Sequence, residues 1–190
     1  MVVASEKGDV RLFNQINKNA KTHLPGFGDP IIGVDVTGDG KWILGTCKNY
    51  LVVIPTEIQQ TGVTGFDKPM GQNKPVPKRL RLKPEHIATM GCQPSFTPAR
   101  FNVGEDEETY IVTSSGPYVV IWNFRQVKAG HVYHYKIRKY SDNIVADNFR
   151  FGQHKNIVVT LPDDVTMVHK ASLTTPQRSR LRDTVVNSPF

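Results

Sequence analysis

Apolar residues in this chain come in short runs parted by polar turns, and four pairs of such runs align without a gap. They are Val2–Phe13 (VVASEKGDVRLF), Ile43–Ile54 (ILGTCKNYLVVI), Ile111–Trp122 (IVTSSGPYVVIW) and Ile157–Val168 (IVVTLPDDVTMV). Each opens apolar, carries a small hydroxyl residue near its fourth position (Ser5, Thr46, Ser114, Thr160), turns through polar residues and closes on a second apolar run. Two short apolar runs joined by a polar turn predict a β-hairpin, here written four times. The starts at 2, 43, 111 and 157 give intervals of 41, 68 and 46 residues. Two of these match the period of about 40–45 residues at which four-stranded propeller blades repeat, and the third fits the same unit with an insertion of roughly 25 residues.

Around the hairpins the pattern predicts further strands. The clearest unit starts at Ile31–Val36, turns at Thr37–Gly40, and continues through Lys41–Cys47 and Tyr50–Ile54 to a fourth strand at Lys78–Leu82. The next unit reads Ala99–Val103, Thr109–Ser114, Tyr118–Val127 and an outer strand at Val132–Tyr140, whose apolar and charged positions alternate as on an edge with one wet face. Ile144–Phe149, Asn156–Leu161 and Val165–Val168 make a third unit. A single blade cannot bury both of its faces, so such units stack around an axis. The expectation is an all-β fold, a partial β-propeller of about four blades over 1–168 with an insertion loop at 56–77. Residues 169–190 are expected to be a disordered basic tail. Propellers usually close with 4–8 blades, and the chain opens inside a hairpin. Either the ends exchange strands to close a small propeller, or the chain is the C-terminal part of a larger one; the fragment is the simpler reading.

Composition adds bounds. A hydrophobic share of 38% is low and suits short strands among many turns. No apolar run is long enough to span a bilayer and the N-terminus does not read as a signal peptide, so the chain is expected in the cytoplasm, with the nucleus as a second compartment. Cys47 and Cys92 support neither a disulfide framework nor a four-ligand metal site. The net charge of +7 is concentrated in predicted loop and tail, which weakens a nucleic-acid reading because a binding surface needs its cations positioned.

Longer strings carry a resemblance. GDVRLFNQINKNAKTHLPGFGDPIIGVDVTGDGKWILGTCKNYLVVI, LKPEHIA, GPYVVIWNFRQVKAG and VADNFRFGQHKNIVVTLPDDVTMV resemble the C-terminal domain of the vacuolar import and degradation protein 27 family, across about residues 8–168. The resemblance implies a WD-repeat-like propeller in a cytoplasmic or nucleo-cytoplasmic protein, often preceded by pleckstrin-homology-like and other regions that this chain lacks. Plant relatives are known from embryo and meristem development. The family is linked by name to vacuolar delivery and degradation of gluconeogenic enzymes in yeast, and it brings no catalytic or ligand-binding residues to carry over.

The residues themselves offer little chemistry. His131 and His134, three apart on a strand, point to opposite faces, and the other histidines lack a second ligand at zinc-like spacing, so no metal or cofactor is expected. Gly26-Phe27-Gly28 and Gly38-Asp39-Gly40 are turns, without the Lys-Ser/Thr of a phosphate loop. Asp163-Asp164 reads as a turn, and no nucleophile–base pair is visible, so no enzyme is expected. Asp35 and Asp147 fall in inner-strand regions, where a carboxylate anchors neighbouring turns; a binding role is the alternative. Lys78, Arg79, Arg81 and Lys83 form the sharpest candidate, a patch for a protein partner or nuclear import. An amphipathic edge strand, with Leu80 and Leu82 inward and the cations in water, explains the same residues more simply. Trp122 and Tyr118 read as core before binding surface.

Three functional readings follow. The first is a non-enzymatic interaction scaffold for protein or peptide partners, linked to vacuolar delivery and turnover by the resemblance alone. The alternative is a nuclear or nucleic-acid-associated protein using 74–83 and the basic tail. The third is a fragment without autonomous function.

Overall fold

The computed structural model describes residues 1–15, 18–58, 61–102 and 108–140, together with the backbone of four further strands at 150–151, 157–160, 165–168 and 186–187. They belong to two compact units, Met1–Arg81 and Leu82–Phe190.

The first unit holds two antiparallel sheets. β1 (Val2–Ala4), β2 (Val10–Leu12) and β3 (Thr22–Leu24) form a meander in that order. β4 (Gly33–Val36), β5 (Trp42–Thr46), β6 (Leu51–Pro55) and β7 (Lys78–Leu80) form the second. The β4–β5 turn is tied by its own side chains: Thr37 Oγ1 donates to Asp39 Oδ1 at 2.6 Å, and Asp39 Oδ1 accepts from Lys41 N at 2.9 Å. Such Asx and hydroxyl turns are why this sequence reverses here. β6 is an unbroken apolar run because both its faces are buried; Leu51, Val52, Val53 and Ile54 are each at most 1% exposed. Val10, Leu12 and Leu24 of the first sheet pack with Ile43, Tyr50, Val52 and Ile54 of the second in one core.

The second unit begins with α1 (Pro84–Met90), which the strand pattern did not anticipate. Pro84 opens it where a missing N–H costs nothing, and Gly91 at φ +72° closes it in the left-handed region. β8 (Arg100–Phe101), β9 (Tyr110–Ser115) and β10 (Tyr118–Asn123) follow. The expected strand Tyr118–Val127 stops at Asn123, whose side chain accepts from Gln126 N and starts α2 (Phe124–Lys128). β11 (Tyr135–Lys139) then pairs with β10, Val120 opposite Ile137. β12 (Arg150–Phe151), β13 (Ile157–Thr160) and β14 (Val165–Val168) form another meander. β15 (Val186–Asn187) pairs antiparallel with β11.

All four hairpins read from the sequence are present, as β1–β2, β5–β6, β9–β10 and β13–β14. The expected strand Ile144–Phe149 lies outside the described residues. So does most of the stretch 169–190 that was expected to be disordered; within it the described strand is β15. The expected surface loop at 56–77 contributes to the core, with Met70 5% exposed and packed in the cluster above. Thr22 Oγ1 holds that segment by donating to the Gly65 carbonyl at 2.7 Å.

Candidate functional site

β7 is the last strand of its sheet, and alternation divides its side chains. Arg79 stands opposite Val52 and Leu80 opposite Leu51, so the two point to different faces. Leu80 and Leu82 are buried, while Lys78 and Arg79 are half-buried and Arg81 is exposed. Within β7 the cations divide between the two faces. Lys78 sits on the Leu80 face, with Nζ 6.0 Å from the Trp42 ring. Lys83 belongs to the second unit, where its backbone N–H donates to Tyr135 Oη at 2.6 Å. Arg79 and Arg81 share the remaining face.

On that face the guanidinium of Arg79 lies between two rings, 3.9 Å from the Phe27 centroid and 4.6 Å from that of Tyr50. Arg81 approaches Tyr50 from further out, at 5.7 Å. Phe27 and Tyr50 meet edge to face, with centroids 6.1 Å apart and planes at 78°. Tyr50 is buried, and its hydroxyl donates to Asp29 Oδ2 at 2.7 Å. Burial, with the acceptance by Asp29, pushes its phenol well above the usual tyrosine range. Burial also raises the neighbouring Cys47 thiol. A buried thiol raised in this way is a small apolar filler, not a nucleophile.

Phe27 is placed by an unusually close backbone approach. A Cβ on Gly26 would fall 1.9 Å from the Gly8 carbonyl oxygen, so the segment carrying Phe27 fits against the β1–β2 turn only because residue 26 is glycine. Phe27 remains 38% exposed, large for a phenylalanine. Arg79 Nε is buried without a hydrogen-bond partner, and among the described residues no carboxylate pairs with Arg79 or Arg81. Contact of a guanidinium with an aromatic ring is worth roughly 0.5–2 kcal/mol. Phe27 carries no charge or periodic signal, and its meeting with Arg79 across 52 positions of sequence is a tertiary event.

Asp35 is half-buried on β4, opposite Leu44, and its carboxylate accepts from Val36 N at 3.0 Å. Asp147 lies outside the described residues. Among the described residues no three His, Cys, Asp or Glu side chains cluster to hold a metal ion, and no helix is long and apolar enough to cross a membrane.

In the second unit Trp122 is fully buried against Phe96 and Tyr135, and its indole N–H donates to the Val132 carbonyl at 3.2 Å. Tyr118 is half-buried. Tyr135 Oη accepts from Lys83 N and shares a second hydrogen bond with His86 Nδ1, 2.8 Å away. Burial, helped by Lys83 and opposed by Glu85, holds the His86 pKa below the usual histidine range. Burial pushes the Tyr135 phenol up to about 12.

Residues 1–187 match the VID27 C-terminal WD40-like domain. The vacuolar import and degradation protein 27 of Schizosaccharomyces pombe is 47% identical over 208 residues, covering 100% of this chain and 26% of that protein. The protein of the same name from Saccharomyces cerevisiae is 36% identical over 194 residues, 95% of this chain and 25% of its own length. The chain thus spans about a quarter of the length of these relatives. A solved β-propeller domain, Cps50 (Swd1) from Myceliophteria thermophila, is similar over 97% of this chain and 69% of its own, at TM-score 0.39 and 12% identity, a likeness too distant to carry an argument. The repeated antiparallel meanders and the match across nearly the whole chain agree: the chain belongs to the family of the VID27 C-terminal WD40-like domain.

Proposed function

We propose that this chain is a non-enzymatic interaction module that docks protein partners in the vacuolar-delivery and protein-turnover work for which its relatives are named, acting in the cytoplasm and, through traffic of the whole protein, in the nucleus. One observation carries the docking role: Arg79 is held against Phe27 and Tyr50, with the partly exposed Phe27 ring beside it. Aromatic and arginine side chains in this arrangement are the residue types that dominate protein-binding hot spots, because a fixed guanidinium loses little freedom on binding. The vacuolar link rests on the relatives' names.

The test replaces Phe27 with a photo-crosslinking phenylalanine analogue in the full-length protein in cells, with the exposed position Glu6 as control. The expected result is a discrete protein adduct from position 27 that position 6 does not give. Adducts to nucleic acid from position 27, or no adduct beyond the control, overturn the proposal.

A further inference from the structure

Arg79 lies on β7 and Arg81 one residue past its end; both guanidiniums approach the Tyr50 ring, and neither has a carboxylate partner among the described residues. Leu80 and Leu82 are both buried, so the alternation carries on to Arg81 and spaces the two arginines about 6.8 Å apart, the repeat of alternate side chains in any extended peptide. The two rings hold the Arg79 guanidinium in place, and Arg79 as a whole is only half-buried, so its fork remains open to a partner's carboxylate. Phe27 offers an exposed apolar face beside the two charges.

We propose that Phe27, Tyr50, Arg79 and Arg81 form a docking site for an acidic peptide segment in extended conformation. Carboxylates two positions apart pair with the two guanidiniums, and an apolar side chain rests on Phe27. The inference rests on the interaction reading above and names the chemistry of the partner. A nucleic-acid backbone fits the site poorly. Tracking phosphates takes a row of cations, whereas Lys78, next to Arg79 on β7, turns to the opposite face.

The experiment titrates the full 190-residue chain with a short fluorescent peptide bearing two glutamates two positions apart next to a phenylalanine, with the same peptide carrying glutamines, and with a labelled oligothymidine. Binding of the glutamate peptide, weakened about tenfold or more by Arg79→Lys or Arg81→Ala, is the expected result, the size of one charge-assisted hydrogen bond. Arg79→Lys keeps the charge and loses the planar fork, and Arg81 is exposed, so a matched thermal midpoint shows that each variant is folded. Equal binding of glutamate and glutamine peptides, both lost in Phe27→Ala, overturns the acidic specificity and leaves the interaction module standing. Oligothymidine binding that falls steeply with salt, with neither peptide bound, overturns both readings. No binding of any probe overturns the acidic site, while the crosslink from position 27 still decides the module.

Discussion

At the scale of single residues, two atoms set the chemistry of Phe27 and His86. The space for a Cβ at Gly26 is already filled by the Gly8 carbonyl. Gly26→Ala must push two backbone segments apart, so the expected loss is about 1–3 kcal/mol, read as a lower urea midpoint with unchanged slope. Tyr135 Oη joins Lys83 N–H to His86 Nδ1. Tyr135→Phe takes this partner from both the Lys83 N–H and His86 Nδ1 and is expected to cost about 1–3 kcal/mol. His86 also makes stability depend on pH. Its folded pKa lies below the unfolded value of about 6.5, so its contribution is complete above that value and is lost as pH falls from there toward the folded pKa. His134 is lowered in the same sense, chiefly by burial with His131 and Lys136 opposing its charge. Thermal midpoints taken at about pH 7 and about pH 5 should therefore differ less in His86→Gln than in the native chain, though not vanish. An equal drop in both assigns the effect to other groups.

Among elements, the hairpins were the most legible part of the chain, and the reason is local. Leu51–Ile54 and Val119–Trp122 are compact apolar runs flanked by turn residues, a signal complete within a dozen positions or so. The helices were missed although their ends are written plainly: Pro84 and Gly91 bracket α1, and Asn123 caps α2. Both are so short that their apolar residues blend into the strand pattern around them. The 56–77 segment was hidden differently: Ile58, Phe66 and Met70, which all meet the core, are scattered among polar residues with no period to mark them. Met70→Ala should cost about 2–5 kcal/mol, as for a buried methionine in any core, and a loss near zero would return the segment to a plain surface loop. The basic stretch was legible as an amphipathic strand through Leu80 and Leu82, but not as a stack on Phe27, which depends on a partner 52 positions earlier.

On the scale of the whole molecule, the formal charge of +7 overstates the cations available to any one surface. Arg79 is held against two rings, and Lys78 and Arg79 leave β7 on opposite faces. The sequence pattern also foresaw the number of strand groups, since each described sheet is built on one of the four hairpins. It did not foresee the fifth strand in the sheet of the second unit, because a two-residue pairing between β11 and Val186–Asn187 leaves no periodicity to read. A chain ending at Val168 should keep the strand signal of the hairpins while amides around Lys136 and Ile137 exchange faster. Unchanged exchange there would show that β15 adds no protection.

That pairing sets an order of events during synthesis. In every sheet but one, strands adjacent in the ladder are adjacent in the chain, so each meander can zip up soon after its last strand leaves the ribosome. The sheet of β8 to β11 is the exception. Its outer edge waits, unpaired, while the whole β12–β14 meander is made, and it is covered only when Val186 and Asn187 arrive. For that interval the β11 edge stays open in the nascent chain, and it is there that a chaperone, or a second nascent copy, would find it.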